Sequence, residues 1–389
     1  MQKMPIKKQR KNGVLESMKK TFFKFAVLLS FFAFASVSFA SPRKVQKGQE
    51  DWRSLKKAQD AFADNDFGAA IKAADQAKKI RRQDTEYQTF VLENTLKKSK
   101  VRHAGDSFDR VLPVLKELEL TEAIDVVKFY TEKYGEEFFD HSYSALMNFV
   151  PDYSQYPEAD FLLGKVYRLE GEYEIAFQYM KNAYDYSRNL SVPLEKYDIL
   201  YDLAQISVEL NDEENYEKFL LVIASDDPRF KDSGFVSALL RIVRSNDASS
   251  VEKFFLLYRA ENDVALKSFM DLGKFYMNRG EIEKSLRFAS FASVIAVTKI
   301  EKVLTHRINN FSFTSFEDLI ADCAKFDDII LWGNKNGVWE LFCGFAETAH
   351  QGGNENFARE LLEILSRSEP DDYWKLYAQK KLESYPPQN

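Results

Sequence analysis

Four histidines, His103, His141, His306 and His350, stand far apart, and none forms a His-x-x-x-His pair or joins a Cys-x-x-Cys. Imidazoles and thiolates hold a metal when a helical turn or a tight loop brings them to one side, so this spacing implies no metal centre. No Gly-rich phosphate loop and no Gly-x-Ser-x-Gly elbow occurs, which removes the common routes to phosphoryl transfer and serine hydrolysis. The acid pairs Asp226-Asp227 and Asp371-Asp372 adjoin prolines; carboxylates in that setting start helices rather than move protons. These residues point away from catalysis and from a cofactor. Cys323 and Cys343 suit either one disulfide, in an oxidising compartment, or two small buried side chains on helices.

Charge carries the next signal. Residues 1–40 hold eight Lys or Arg against one acid, then the apolar run Phe25 to Val37 and the small-x-small exit before Ser41. A positive start, a short apolar stretch and a small-residue exit describe a secretory signal cleaved between Ala40 and Ser41. A membrane span needs about 20 apolar residues, more than this run has. Met18 alone begins a complete signal, and no cysteine follows for acylation. The expected location is therefore periplasmic or secreted. Losing residues 1–40 takes the formal net charge from −6 to −13. Such an acidic chain repels phosphate backbones, which excludes general nucleic-acid binding. Against this background "KKIRR" (Lys78 to Arg82) and "KKSKVR" stand out. They read either as cations closing helices or as a docking patch, Lys97, Lys98, Lys100 and Arg102, for an anionic envelope surface.

Binding residues need elements to carry them. Gly and Pro are scarce, at 15 and 10, and no long stretch alternates apolar and polar side chains, so an all-α protein is expected. "FLLGKVYRLEGEYEIAFQYMKNA" shows the unit. Counting from Pro157, Leu163 and Gly164 fall at positions seven and eight, Tyr167 at eleven, Gly171 at fifteen, Tyr173 at seventeen, Ala176 at twenty and Ala183 at twenty-seven. Small residues permit two antiparallel helices to cross closely, aromatics fill the wedge, and Gly171 ends the first helix with a left-handed backbone. Matching offsets recur from Asp51, Tyr197, Leu266 and Trp339, though Tyr216 replaces the second crossing residue of the Tyr197 unit and predicts a wider crossing there.

This pattern resembles the tetratricopeptide repeat, a helix–turn–helix unit of about 34 residues. The resemblance implies a superhelical solenoid of roughly nine antiparallel pairs, several degenerate. Intervening text would supply further pairs, including "KIEKVLTHRINN" with "FEDLIADCAKFDDIIL". The expected organisation is a signal peptide at 1–40, a disordered lead-in at 41–50, degenerate pairs at 51–150 and the main array at 157–385, with breaks at 151–157 and 309–316.

The family presents inner-helix positions two, five, nine, twelve and thirteen to a concave groove. Carried over, these include Phe161, Lys165 and Arg168, then Tyr201 and Gln205, then Met270, Lys274, Met277 and Asn278. Lys and Arg beside Phe, Tyr and Met would suit a protein or peptide with apolar anchors and some acid. Most of the 33 Phe and 19 Tyr are expected to fill space between helices. The leading expectation is a non-enzymatic exported scaffold in an envelope, transport or flagellar-assembly complex. The alternative is a solenoid that binds a hydrophobic small molecule or cell-wall polymer beside a transporter, marked by a closed cavity of Phe and Tyr. The oligomeric state is open.

Overall fold

The computed structural model describes residues 44–46, 48–98, 113, 116, 154–245 and 247–385, with the backbone alone for 91–98. Everything regular among them is helical. The elements are α1 (Asp51–Ala63), α2 (Phe67–Lys98), α3 (Pro157–Leu169), α4 (Tyr173–Asp185), α5 (Glu195–Glu209), α6 (Glu213–Ala224), α7 (Pro228–Lys231) and α8 (Ser233–Val243). There follow α9 (Ser250–Leu256), α10 (Leu266–Asn278), α11 (Ile282–Arg307), α12 (Phe316–Cys323), α13 (Asp327–Lys335), α14 (Val338–Gln351), α15 (Glu355–Ser368) and α16 (Asp372–Ser384). The chain divides into two units, Met1–Glu50 with Lys79–Ser154, and Asp51–Lys78 with Gln155–Asn389. The expected block 51–150 thus divides at Lys78. In the first unit the described part of α2 bonds its own ladder, with the Thr85 hydroxyl donating to the Arg81 carbonyl at 3.0 Å. The signal segment with Ala40 and Ser41, and most of 99–153, lie outside the described residues.

One turn is used at all five repeat units. The fifteenth residue of each, Asn65, Gly171, Asn211, Gly280 and Gly353, has a positive φ of 59°, 82°, 54°, 72° and 77°. At each, that residue's amide bonds the carbonyl three back, and the next amide bonds the carbonyl five back, as in Gly280 to Met277 and Glu281 to Tyr276, both 2.9 Å. This Schellman arrangement satisfies carbonyls that a helix end leaves bare, and it demands a left-handed residue that glycine and asparagine tolerate. It reverses α1, α3, α5, α10 and α14 into α2, α4, α6, α11 and α15.

The reversed helices meet on small residues. Ala58, Gly164, Ala204, Gly273 and Ala346 are all buried at the eighth position. A Cβ at Gly164 would lie 2.5 Å from Met180 Cγ and 3.3 Å from the Ala176 carbonyl, so only hydrogen fits there. In the Leu266 unit the Ser285 hydroxyl donates to the Gly273 carbonyl at 2.8 Å, stitching the crossing.

The hairpins then stack directly. α4 packs on α5, α6 on α10 and α11 on α14. Among the described residues, the segments between α6 and α10 and between α11 and α14 therefore do not add rungs, contrary to the degenerate pairs expected there; those expected at 86–118 and 120–150 lie mostly outside the described residues. α7 to α9 and α12 to α13 lie beside the stack, where α8 meets α11, and α9 and α12 meet α15. The expected pair beginning at "KIEKVL" is corrected too, because that stretch continues α11. No Gly or Pro interrupts Ile282 to Arg307, so nothing ends the helix earlier. The chain is coil at 311–315, within the expected break.

Aromatic side chains fasten the side segments. Phe230 of α7 lies 5.2 Å from Phe269 and 5.4 Å from Phe291, and Phe235 of α8 lies 5.1 Å from Tyr258. Phe255 of α9 stacks on Phe316 of α12 at 4.2 Å, and Phe254 reaches Phe345 at 5.2 Å and Phe357 at 5.6 Å. Offset and edge-on geometry adds to the area such rings bury. Cys323 and Cys343 are free, buried thiols rather than a disulfide. Burial pushes the Cys323 thiol up to about 12 and the Cys343 thiol up as well, so neither is a ready nucleophile.

Among the described residues two carboxyl side chains, Asp160 and Glu369, are buried. Asp160 is 2 % exposed and meets Lys78 Nζ at 2.5 Å, which joins α2 to α3. Lys78 of the basic cluster is thus a structural cation. Glu369, after α15, is 3 % exposed, and neither carboxylate oxygen completes a hydrogen bond. Burial pushes its pKa well above the carboxylate range. The Asp371 charge adds to this, while the Asp371 amide and Lys375 oppose it. A raised folded-state value favours the fold at low pH and loses that contribution as pH rises through it. Glu369→Met is expected to stabilise the chain by about 2 kcal/mol at neutral pH, with a smaller gain below about pH 4. Urea unfolding at both pH values checks this.

Candidate functional site

The inner face of α10 places Met270, Lys274, Met277 and Asn278 along one side, as steps of three and four residues must. These residues line a cavity of about 310 Å³ that α14 closes with Glu340, Leu341, Gly344, Phe345, Glu347 and Thr348, and α11 floors with Ser285 and Ala289. A volume near 300 Å³ is the low end for ligand pockets, enough for one or two large side chains. The Lys274 ammonium bridges to Glu340 Oε2 at 2.8 Å, across the mouth between α10 and α14.

Gly344 sits in mid-helix and lines this cavity, and a Cβ there would meet no atom within 4 Å. A helix-interior glycine costs roughly 0.5–1 kcal/mol relative to alanine. At Gly164 that cost permits a close crossing. At Gly344 no internal contact needs it, and the space faces the cavity.

A second cavity, of about 370 Å³, lies on the other side of α10. Lys274 and Asn278 line it as well, with Asp271 and Phe275, and with Val208, Asp212, Glu213 and Tyr216 of the preceding hairpin. It lies where Tyr216 replaces the small crossing residue; that ring packs 5.5 Å from Phe275.

The other expected groove residues line neither cavity and are otherwise engaged. Lys165 Nζ lies 3.7 Å over the Phe161 ring. Arg168 pairs with Asp202 at 2.8 Å. The Tyr201 hydroxyl donates to the Val264 carbonyl at 2.8 Å and accepts from the Ser268 amide at 3.0 Å, which fixes the loop before α10. Gln205 is half-buried on α5. Lys97 and Lys98 end α2, and Lys100 and Arg102 lie outside the described residues. The expectation named no lining residue from α14, although positions two and nine counted from Trp339 are Glu340 and Glu347.

The electrostatics differ from the expectation as well. Of the three cations foreseen for an acidic partner, Lys274 is held by Glu340 and Arg168 by Asp202, while Lys165 lies over the Phe161 ring. Burial raises the Asp271 carboxyl above its usual value, with Lys267 and Lys274 opposing. Its Oδ2 is shut from water and has no donor. Among the described residues no three His, Cys, Asp or Glu side chains gather as a metal site, and no helix is long and apolar enough to cross a membrane.

No family model matches the chain. Among curated proteins, one of Treponema pallidum (strain Nichols), described as uncharacterized, is 30% identical over 328 residues, covering 83% of this chain and 87% of that protein.

Proposed function

We propose, for this chain, which belongs to the same family as the Treponema pallidum protein, that it is an exported, non-enzymatic scaffold holding a protein or peptide against its inner helices. The single observation that carries this reading is the cavity over Gly344, lined by the inner-helix side chains Met270, Lys274 and Met277 of one hairpin and by α14 of the next. The repeated turn and the stacked hairpins support a tetratricopeptide-like superhelix, in which that face is the concave one. The signal-like segment at 1–40 supports export to the periplasm or beyond, and the acidic balance favours a protein partner over nucleic acid. The apolar part of the walls is Met270, Met277, Ala289 and Leu341 with Phe345, and Phe345, like Phe254, Phe255, Phe269, Phe291 and Phe342, is itself fully buried. A flexible Met-lined wall suits a side chain of a partner better than a rigid aromatic cage would.

The test fills the cavity. A Cβ at Gly344 meets no atom within 4 Å and the residue lines the cavity, so Gly344→Phe is expected to direct its ring into that space and to fold normally by circular dichroism. A photoreactive residue at Asn278 should crosslink one defined protein in the native envelope, and Gly344→Phe should reduce that product at least about tenfold, the effect of roughly 1.4 kcal/mol. Crosslinking unchanged by the filled cavity would overturn the reading.

A further inference from the structure

We propose that the outer face of α16 pairs with the same face of a second copy of this chain, the two helices running antiparallel about Leu376. The proposal stands apart from the groove reading and needs no occupant there.

α16 packs on α14 and α15, and the buried Ala378 marks that side. The opposite side carries Asp372, Tyr373, Leu376, Gln379 and Lys380, all exposed. Each stands three or four residues from Leu376, so they form one stripe of the helix. Tyr373 is 66 % exposed and Leu376 49 %. α13 joins the start of this face, where the Asn334 side chain donates to the Asp371 carboxylate at 3.0 Å. Leu331, one turn earlier on α13, is 67 % exposed. Three large apolar side chains thus face water on two linked helices, where scattered single ones would need no explanation.

The order of the stripe identifies the partner. An acid stands four residues before Leu376 and a lysine four residues after it; Tyr373 stands three before and Gln379 three after. Turned end for end about Leu376, the stripe is its own complement. Leu376 meets Leu376 of the second copy, Asp372 meets its Lys380, and the Tyr373 ring covers its Gln379. A twofold contact between identical chains demands this property, and a contact with an unrelated protein does not. α13 repeats the order with Asp327, Leu331 and Lys335, exposed at the same spacing. Neither Asp372 nor Lys380 has an ion-pair partner among the described residues, so both are available to the second copy. Such exposed pairs add little affinity, but they fix the antiparallel direction. The contact is small, which places the dimer in the weak class.

Sedimentation velocity across a range of protein concentrations tests this. The chain is expected to pass from monomer to dimer as concentration rises, and Leu376→Asp to stay monomeric. Asp372→Lys sets lysine against lysine at both ends of the contact and should weaken the dimer at least about tenfold. Adding Lys380→Asp restores opposite charges across the contact and should recover most of that loss. Within one helix the double reversal opposes the macrodipole, so recovery reports the contact between copies rather than the helix itself. Circular dichroism confirms that each variant remains helical. A chain that stays monomeric at every concentration would overturn the proposal, whatever other protein covers α16. A dimer that Asp372→Lys leaves intact, or that the double reversal fails to restore, would overturn it equally.

Discussion

Replacing Lys78 with methionine is expected to destabilise the second unit by about 3 kcal/mol at neutral pH, the low end of the cost of breaking a buried pair. The low end applies because the Lys78 side chain is 25% exposed while Asp160 is 2 % exposed. The methionine leaves the Asp160 carboxylate without its cation. Burial already raises the Asp160 pKa, and the Lys78 hydrogen bond and charge are the opposing effects, so the variant raises it further. A carboxyl whose folded-state value is raised contributes stability below its ordinary value and loses it as pH rises through the folded value. The deficit should be small below about pH 4 and should grow toward neutrality. Adding Asp160→Asn should restore most of the loss at neutral pH. A deficit of equal size at both pH values would show that lost packing of the lysine stem, not charge, sets the cost.

Gly333→Ala should cost about 3 kcal/mol, at the upper end of typical overpacking. A Cβ there would fall inside the contact distance of Trp339 Cε2, Cζ2 and Nε1. The indole is fully buried and is anchored by its Nε1 donating to the Ile330 carbonyl at 3.2 Å, so it has nowhere to retreat. Gly344→Ala is the companion measurement. Its Cβ meets nothing, and the helix gains roughly 0.5–1 kcal/mol. Two Gly→Ala changes eleven residues apart should therefore shift the urea midpoint in opposite directions.

The turns were legible because they are local. Gly171, Gly280, Gly353 and Asn65 announce a left-handed position at a fixed offset, and the same offset reaches Asn211. The small crossing residues were legible for the same reason. The array between units was not. Counting by a fixed repeat length turns every long gap into more repeats, whereas side segments such as α8 and α9 have helical periodicity without occupying a rung. The site was half legible. Met270, Lys274, Met277 and Asn278 follow from the face of one helix, but Lys274 meets Glu340 and Arg168 meets Asp202 across pairs of helices. Which cations remain for a partner is decided by such distant pairings, which no local pattern encodes.

α11 runs unbroken from Ile282 to Arg307, 26 residues, and packs on α8, α10, α12 and α14. At 1.5 Å per residue it is a rod of roughly 39 Å. It acts as a splint under the first cavity, since both walls, α10 and α14, are bound to the same stiff member. Neighbouring hairpins in a stacked array flex where their contact is confined to short helices, and here the contact is a single long one. Tilting of these walls toward each other is therefore expected to be resisted by their shared packing on α11. If the proposed partner binds there, it meets a recess already formed, at little ordering cost to the host.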